Sequence, residues 1–280
     1  RDFSFHGKKR KLEQMRKIIL HSYYGNGNLG DDAILYATED ILRRLNIYFQ
    51  VIGHQVSILN TPIGKPISRI PFAKRTLYKN HVRWMLKQVD SADALILGGG
   101  GIIKDPKYGD ITNNLRLIRY MQERRKPNMI YAVGVPRIWR LRSKIITKEV
   151  VEKTDYISCR DPESAIRIEN LGGPLPHITG DPAIKVPEIM GIHPKPRKPD
   201  LQKMHVCFSI RKDYLNKSMI KSLAKLAFFL AAKYGAKISF IPMRTIWYGD
   251  DRIAHNLMKK ELKTSNSNFI FFDRRPSVEE

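Results

Sequence analysis

The sequence predicts an α/β protein of two Rossmann-like domains, each with a parallel sheet, facing a cleft, with the second domain incomplete. Three observations lead there. Short apolar runs alternate with stretches of helical periodicity along most of the 280 residues. Several of those runs end in glycine-rich or N-cap-like turns, as strands do when they feed helices. A segment rich in proline and charge and lacking apolar periodicity, residues 187–203, divides the series in two and reads as a linker. The expected organisation is a basic disordered leader over 1–16, a first α/β domain over 17–186 and a second over 204–280.

The first element is the most informative. Ile18-Ile19-Leu20 reads as a buried strand, and Ile34, Ile41, Leu42 and Leu45 follow at helical spacing. Between them lie Gly25, Asn26, Gly27, Asn28, Gly30, Asp31 and Asp32. The glycines spell G-x-G-x-x-G, but a dinucleotide fingerprint also needs an acidic residue closing the second strand. That strand, near Tyr48 to Ile52, ends instead in Gly53-His54-Gln55. Asp31 and Asp32 suit a helix N-terminus, yet they would repel a pyrophosphate placed there. The turn is therefore expected to bring backbone close to a ligand whose hydroxyls or cation meet the two acids. The alternative is a tight turn with an acidic N-cap.

A long loop is expected over 60–75, then a helix from about Lys79 to Val89. The strand Asp93 to Leu97 ends in Gly98, Gly99, Gly100 and Gly101. Four glycines exclude side chains from that corner, which suits either an anion-binding nest of N–H groups or a close crossing of two chain segments. A helix over 110–125, a strand over 128–135 and a helix over 143–153 lead to the strand Asp155 to Cys159. There Arg160 leaves the strand, Asp161 fits an N-cap, Pro162 the first helical position and Gly172 the residue past the helix end. Thr179-Gly180-Asp181-Pro182-Ala183 repeats the theme. The second domain reads as strand 205–210, helix 217–233, strand 237–241, helix 250–262 and strand 268–272. Ser277 with Glu280 is a capping box for a helix that does not follow, so a truncated chain is expected.

Composition sets the class. Hydrophobic residues make up 42% of the chain, enough for a real core. No run approaches the ~18 apolar residues of a membrane span, and the leader has no signal-peptide core. Cys159 and Cys207 form no C-x-x-C pair and are expected to be free, buried thiols in a reducing, cytoplasmic setting. The charge is the unusual feature: 50 Lys+Arg against 27 Asp+Glu gives +23. Such a field attracts polyanions and allows peripheral contact with an anionic membrane surface. No zinc-finger, RNP or recognition-helix pattern occurs, so nucleic acid is not expected as a partner. His54, His177, His193, His205 and His255 share no metal-ligand spacing. No G-x-S-x-G elbow and no P-loop occurs, and neither a metal nor a cofactor is expected.

Y-Y-G-N-G-N-L-G-D-D-A-I-L, from Tyr23 to Leu35, resembles the opening motif of the polysaccharide pyruvyl transferase family, with Asp32 where the family commonly has Glu. Four later stretches match in order. D-A-L-I-L-G-G-G-G-I-I-K-D resembles the second glycine motif and puts Asp105 in its acidic position. S-C-R-D-P-E-S-A resembles the R-D-x-x-S motif and carries over Arg160, Asp161 and Ser164. G-D-P-A carries over Asp181. F-S-I-R, ending at Arg211, with I-P-M and Asp250-Asp251, resembles the start of the second domain. The likeness covers about residues 17 to 275. It departs in one respect: the family's late Arg-x-His motif, thought to hold phosphoenolpyruvate and assist catalysis, has no counterpart here, and a chain without it would lack part of the active site.

The resemblance implies a fold similar to two-domain GT-B glycosyltransferases. It also implies transfer of pyruvate from phosphoenolpyruvate, a co-substrate, to a sugar or lipid-linked glycan as a cyclic ketal. The donor's phosphate and carboxylate need cations, which makes Arg160 and Arg211 candidates. The enol ether must be protonated and the sugar hydroxyls deprotonated. Asp31, Asp105 and Asp181 are candidates to orient hydroxyls or act as base, with helix capping as the alternative for each. For Arg160 the alternative is a salt bridge at a helix start. Two other functions compete: a GT-B glycosyltransferase using a nucleotide sugar, and a non-catalytic polyanion-binding protein. Salt-sensitive nucleic-acid binding would mark the latter.

Overall fold

The computed structural model describes residues 17–53, 72–105, 111–193, 204–212, 215–245, 249–263 and 267–279. The leader, most of the long loop, and residues 194–203 of the linker lie outside these. The chain forms two compact units, one of residues 1–26 and 33–189, the other of residues 27–32 and 190–280.

The first unit is a six-stranded sheet in the order β2-β1-β3-β4-β5-β6. Its strands are β1 (Ile18–Ser22), β2 (Phe49–Gly53), β3 (Ala94–Gly100), β4 (Asn128–Val133), β5 (Tyr156–Cys159) and β6 (His177–Ile178). Every pairing is parallel, so all six carboxyl ends lie along one edge. The helices between them are α1 (Leu29–Arg44), α2 (Phe72–Asp90), α3 (Thr112–Glu123), α4 (Leu141–Val151) and α5 (Pro162–Asn170). A 3₁₀ turn (Pro182–Lys185) and the helical turn α6 (Val186–Ile189) follow β6.

Both sheet faces are covered, as the continuous apolar strands require. Alternate residues of β1 point to opposite faces: Leu20 packs with Ile34 and Leu42 of α1, whereas Ile19 packs with Met85 and Val89 of α2 and Leu115 and Ile118 of α3. The chain leaves β1 toward β2 on one side, and β3 lies on the other. The topological switch point therefore falls between β1 and β3.

The second unit carries a parallel three-stranded sheet, β7 (His205–Phe208), β8 (Lys237–Phe240) and β9 (Phe269–Phe271), in that order. The helices α7 (Lys217–Tyr234) and α8 (Asp251–Leu262) connect its strands. Its core joins Ala224, Ala227, Ala231, Phe240, Ala254 and Met258. Asn216 caps α7 by accepting from Met219 N–H, and Gly235 ends it at φ 61°.

Three expectations are corrected. The helix before β3 starts at Phe72, so residues 72–75 are helical instead of loop. The first helix begins at Leu29, so the glycine turn is shorter than expected and Gly30 already belongs to the helix, whose first turn holds Asp31 and Asp32 as expected. Cys159 is buried but Cys207 is exposed. The reason is the alternation of β7: Val206 and Phe208 pack on the core while His205 and Cys207 face away from it.

Candidate active site

The first half of the site is the switch point at the ends of β1 and β3. Tyr24 is buried and its hydroxyl donates to Gly98 O at 3.3 Å, while Ser22 Oγ donates to Gly99 O at 3.4 Å. A Cβ on Gly98 would fall 2.9 Å from the Tyr24 hydroxyl. On Gly99, whose φ is +60°, it would fall 2.1 Å from Ile34 Cγ2. These two glycines are thus required by the chain's own packing, the close crossing of segments that four glycines allow. Gly100 also has positive φ, 71°. Gly101 differs, because a Cβ there would meet nothing nearer than Lys104 Nζ at 4.0 Å.

A cavity of about 10 Å³, room for one water-sized group, lies at this point, lined by His21, Ser22, Tyr23, Leu97, Ile102 and Asn114. Its polar wall is ordered. Tyr23 Oη donates to Asn114 Oδ1 at 2.8 Å, and Asn114 Nδ2 donates to Ile102 O at 2.9 Å. His21 Nδ1 lies 2.7 Å from Ile52 O. A carbonyl only accepts, so Nδ1 carries the proton and Nε2 is the acceptor nitrogen. Burial lowers the His21 pKa to about 4 despite that bond, so the ring is neutral near pH 7.

The glycine turn precedes α1. Gly25 and Gly27 have φ of 73° and 64°, and Asn26 Nδ2 donates to Tyr23 O at 3.0 Å. Asn28 caps the helix: its Oδ1 accepts from Gly30 N–H at 3.3 Å and its Nδ2 donates to Asp31 Oδ2 at 2.6 Å. Gly30 sits in the first turn of α1 with no positive φ. Within the second unit this turn bonds to the segment after β8. Leu29 N–H donates to Met243 O at 2.9 Å and Thr245 N–H to Gly27 O at 3.1 Å, while Asp32 pairs with Arg275 at 2.8 Å.

The other half of the first unit's edge centres on Arg160, which follows β5. Its guanidinium lies flat over Gly134, where a Cβ would come 2.5 Å from Nε. Nη1 pairs with Asp181 at 3.3 Å and Nε approaches Asp161 at 3.5 Å. The side chain is 41% exposed, and Nη2 has no hydrogen-bonding partner among the described residues. Asp161 caps α5 by accepting from Ser164 N–H at 2.7 Å, and Ser164 Oγ accepts from Val135 N–H at 2.8 Å. Burial works to raise the Asp161 carboxyl, but Ser164 and Arg160 outweigh it and hold the group below the usual carboxylate range. Asp181 caps the 3₁₀ turn through Ala183 N–H at 3.1 Å.

The structure thus joins Arg160, Asp161, Asp181 and Ser164 into one strand-end cluster. It gives Asp105 a different setting, at the start of α4, where Oδ2 accepts from Trp139 N–H at 2.6 Å and Arg140 N–H at 3.2 Å. Burial, which raises its pKa, is outweighed by the nearby Ser143 hydroxyl and these two N–H groups, so the carboxyl is held low. The hydroxyl acts by proximity only: neither Ser143 Oγ nor Asp105 Oδ1 has a hydrogen-bonding partner among the described residues. A carboxylate so held is a weak base.

At the carboxyl edge of the second unit, Arg211 is exposed after β7 and contributes charge near Asp251. Asp250 caps α8 through Arg252 N–H at 2.9 Å, and the Arg252 guanidinium, 2.6 Å away, holds its carboxyl low. Asp251 is the opposite case. Burial raises its pKa, although the N–H of Arg244 donates to it at 2.9 Å and the charges of Arg211 and Arg244 oppose the rise. Arg244 lies over Gly249, whose Cβ would come 2.5 Å from its Cζ, so each unit lays an arginine across a glycine. One turn along α8, His255 is buried with both ring nitrogens unpaired among the described residues, and burial lowers its pKa to about 4.

Sequence reasoning did not single out His21, Gly134, Arg244 or Asp251 as chemical groups. Asp251 carried a signal, a second acid beside an N-cap acid, and Arg244 directly follows I-P-M. Gly134 and His21 carried none, because their roles depend on residues distant in sequence. Among the described residues no cluster of His, Cys, Asp and Glu could hold a metal ion.

Comparison with known proteins bears on the family and the fold. No curated protein sequence matches the chain significantly. Among solved structures, S. aureus MnaA with UDP is similar at 13% identity and TM-score 0.59, over 95% of this chain and 70% of that one. A putative UDP-N-acetylglucosamine 2-epimerase from Listeria monocytogenes is similar at 11% identity and TM-score 0.58, over 94% and 70%. UDP-GlcNAc 2-epimerase from Neisseria meningitidis, bound to UDP-GlcNAc, follows at 11% and 0.52, over 94% and 72%. At such identities the likeness is one of fold, a GT-B-like fold built from two Rossmann-like units. The family pattern of polysaccharide pyruvyl transferases matches residues 28–280, a span holding the Asn28 cap, the glycine strand end, the Arg160 cluster and the Arg244–Asp251 turn. The chain belongs to the polysaccharide pyruvyl transferase family.

Proposed function

We propose that this protein transfers the pyruvyl group of phosphoenolpyruvate to two hydroxyls of a sugar in a cell-surface polysaccharide or its lipid-linked precursor. C3 of the donor takes a proton, and a first hydroxyl adds to the resulting oxocarbenium-like C2, losing its own proton. Phosphate then leaves, and the second hydroxyl adds, passes its proton to the departing phosphate and closes the ketal. The products are the ketal and inorganic phosphate. No cofactor enters this balance.

The observation that carries the reading is the Arg160 cluster. A guanidinium with an unbonded Nη2, lying over Gly134, can offer a carboxylate or phosphate two parallel N–H groups. Asp161 and Asp181 offset its charge, so the donor's anionic groups need further cations. Of Asp31, Asp105 and Asp181, it is Asp181 that lies beside Arg160, and we assign it to orient an acceptor hydroxyl. Asp31 and Asp105 support the turns around the site through Asn28 and the start of α4.

Arg160→Lys should keep the fold and lose phosphoenolpyruvate affinity. A charge-assisted hydrogen bond contributes roughly 1.5–3 kcal/mol, so the loss should be about ten- to a hundredfold. Calorimetric titration of phosphoenolpyruvate into both proteins, with circular dichroism as the folding control, measures it. Unchanged affinity in folded Arg160→Lys would reduce Arg160 to a helix-start ion pair. A second reading, a nucleotide-sugar donor, is favoured by the UDP and UDP-GlcNAc in two similar structures. The same titration with UDP-GlcNAc separates the two.

A further inference from the structure

Helix α7 reads K-S-M-I-K-S-L-A-K-L-A-F-F-L-A-A-K-Y. Its buried stripe is Ala224, Ala227 and Ala231. At 3.6 residues per turn, Met219, Leu226 and Phe229 project on the opposite side, and they are 43%, 46% and 48% exposed. Phe228, on the flank, is 55% exposed. Surface apolar residues scattered singly mean nothing, but Met219, Leu226 and Phe229 together on one helix face form a patch, with Phe228 outside it.

The charge around the patch says what covers it. Lys217, Lys221, Lys225 and Lys233 are all exposed, and the helix contains no carboxylate. A second copy of this chain seated face to face would bring lysine against lysine. A surface of anionic headgroups over an apolar layer is complementary to both components, because lysine stems run along apolar surface while their ammonium groups reach phosphate. Lys233 Nζ already lies 5.3 Å from the Phe229 ring centroid. The net charge of +23 steers the whole chain toward such a surface. No helix among the described residues is long and apolar enough to cross a membrane, so α7 would lie on it.

We propose that the outer face of α7 docks the protein onto an anionic lipid surface. Leu226, Phe229 and Met219 enter the boundary between headgroups and acyl chains, and Lys221, Lys225 and Lys233 bind lipid phosphates. The inference rests on α7 alone and is independent of the donor assigned above.

The test is sedimentation of the full chain with phosphatidylcholine vesicles, with and without phosphatidylglycerol. Wild type should bind only the anionic vesicles. Replacing Lys221, Lys225 and Lys233 by Gln should weaken binding about a hundredfold. The deciding variant is Leu226→Ser/Phe229→Ser, which keeps the charge and alters only exposed side chains. It should melt like wild type and bind at least about tenfold more weakly. Binding equal to wild type by that variant would overturn the proposal, since the basic surface alone would then explain the attraction. Dimerisation through α7 without lipid, abolished by the same variant, would overturn it in favour of a second copy.

Discussion

Gly99→Ala should destabilise the first unit by about 2–5 kcal/mol and lower its melting temperature by about 10 °C. Two causes act together. Gly99 has φ +60°, a region that costs an L side chain roughly 1–2 kcal/mol. The added methyl would also lie 2.1 Å from Ile34 Cγ2, on a β-branched side chain that is buried and stiff at χ1. Gly25→Ala separates the causes, since its φ is +73° with no atom within 4 Å of the new Cβ. It should show the backbone cost alone. Equal melting temperatures for the two variants would mean that Ile34 moves aside at no cost and that the β3–α1 crossing is loosely packed.

Acid should destabilise both units, through one buried histidine in each. His21 and His255 have folded-state pKa values near 4, against an ordinary 6.5. Below pH 6.5 the unfolded chain binds protons that these buried rings refuse. Stability is therefore full above pH 6.5 and falls as pH drops from 6.5 toward 4. Each ring should account for about 3 kcal/mol over that window, on the order of 1.4 kcal/mol per pKa unit. His255 offers the cleaner test, because its nitrogens have no partners to lose among the described residues. His255→Leu should flatten the acid limb of the second unit and leave that of the first unchanged. Urea denaturation at a series of pH values, followed by hydrogen exchange within each unit, measures both. An unchanged acid limb in His255→Leu would mean that the ring is hydrated and titrates normally.

Features written in adjacent residues were legible in the sequence. The Asp161 cap with Pro162 inside and Gly172 beyond the helix end was readable because the whole device spans one helix. The parallel order was readable from strands alternating with helices, and the expected α/β fold agrees with what is observed. What was not legible depends on contacts between distant residues. Gly98 and Gly99 suit either a ligand nest or a close crossing until Tyr24 and Ile34 are seen filling the space. Asp105 suits a base or a cap alike until the start of α4 is seen resting on it. Gly134 gains its meaning only from the guanidinium above it. The exposure of Cys207 follows from which face of β7 the helices leave bare, a matter that a four-residue strand does not encode.

The central claim is that pyruvate leaves phosphoenolpyruvate for a pair of sugar hydroxyls. The most direct measurement incubates the protein with phosphoenolpyruvate labelled with ¹³C at C2 and a panel of polysaccharide repeat-unit acceptors, followed by NMR. The account predicts a ketal carbon signal appearing in step with inorganic phosphate, and its loss in the folded Arg160→Lys protein. Glycosyl transfer from a nucleotide sugar to the same acceptors, with phosphoenolpyruvate left intact, would contradict it.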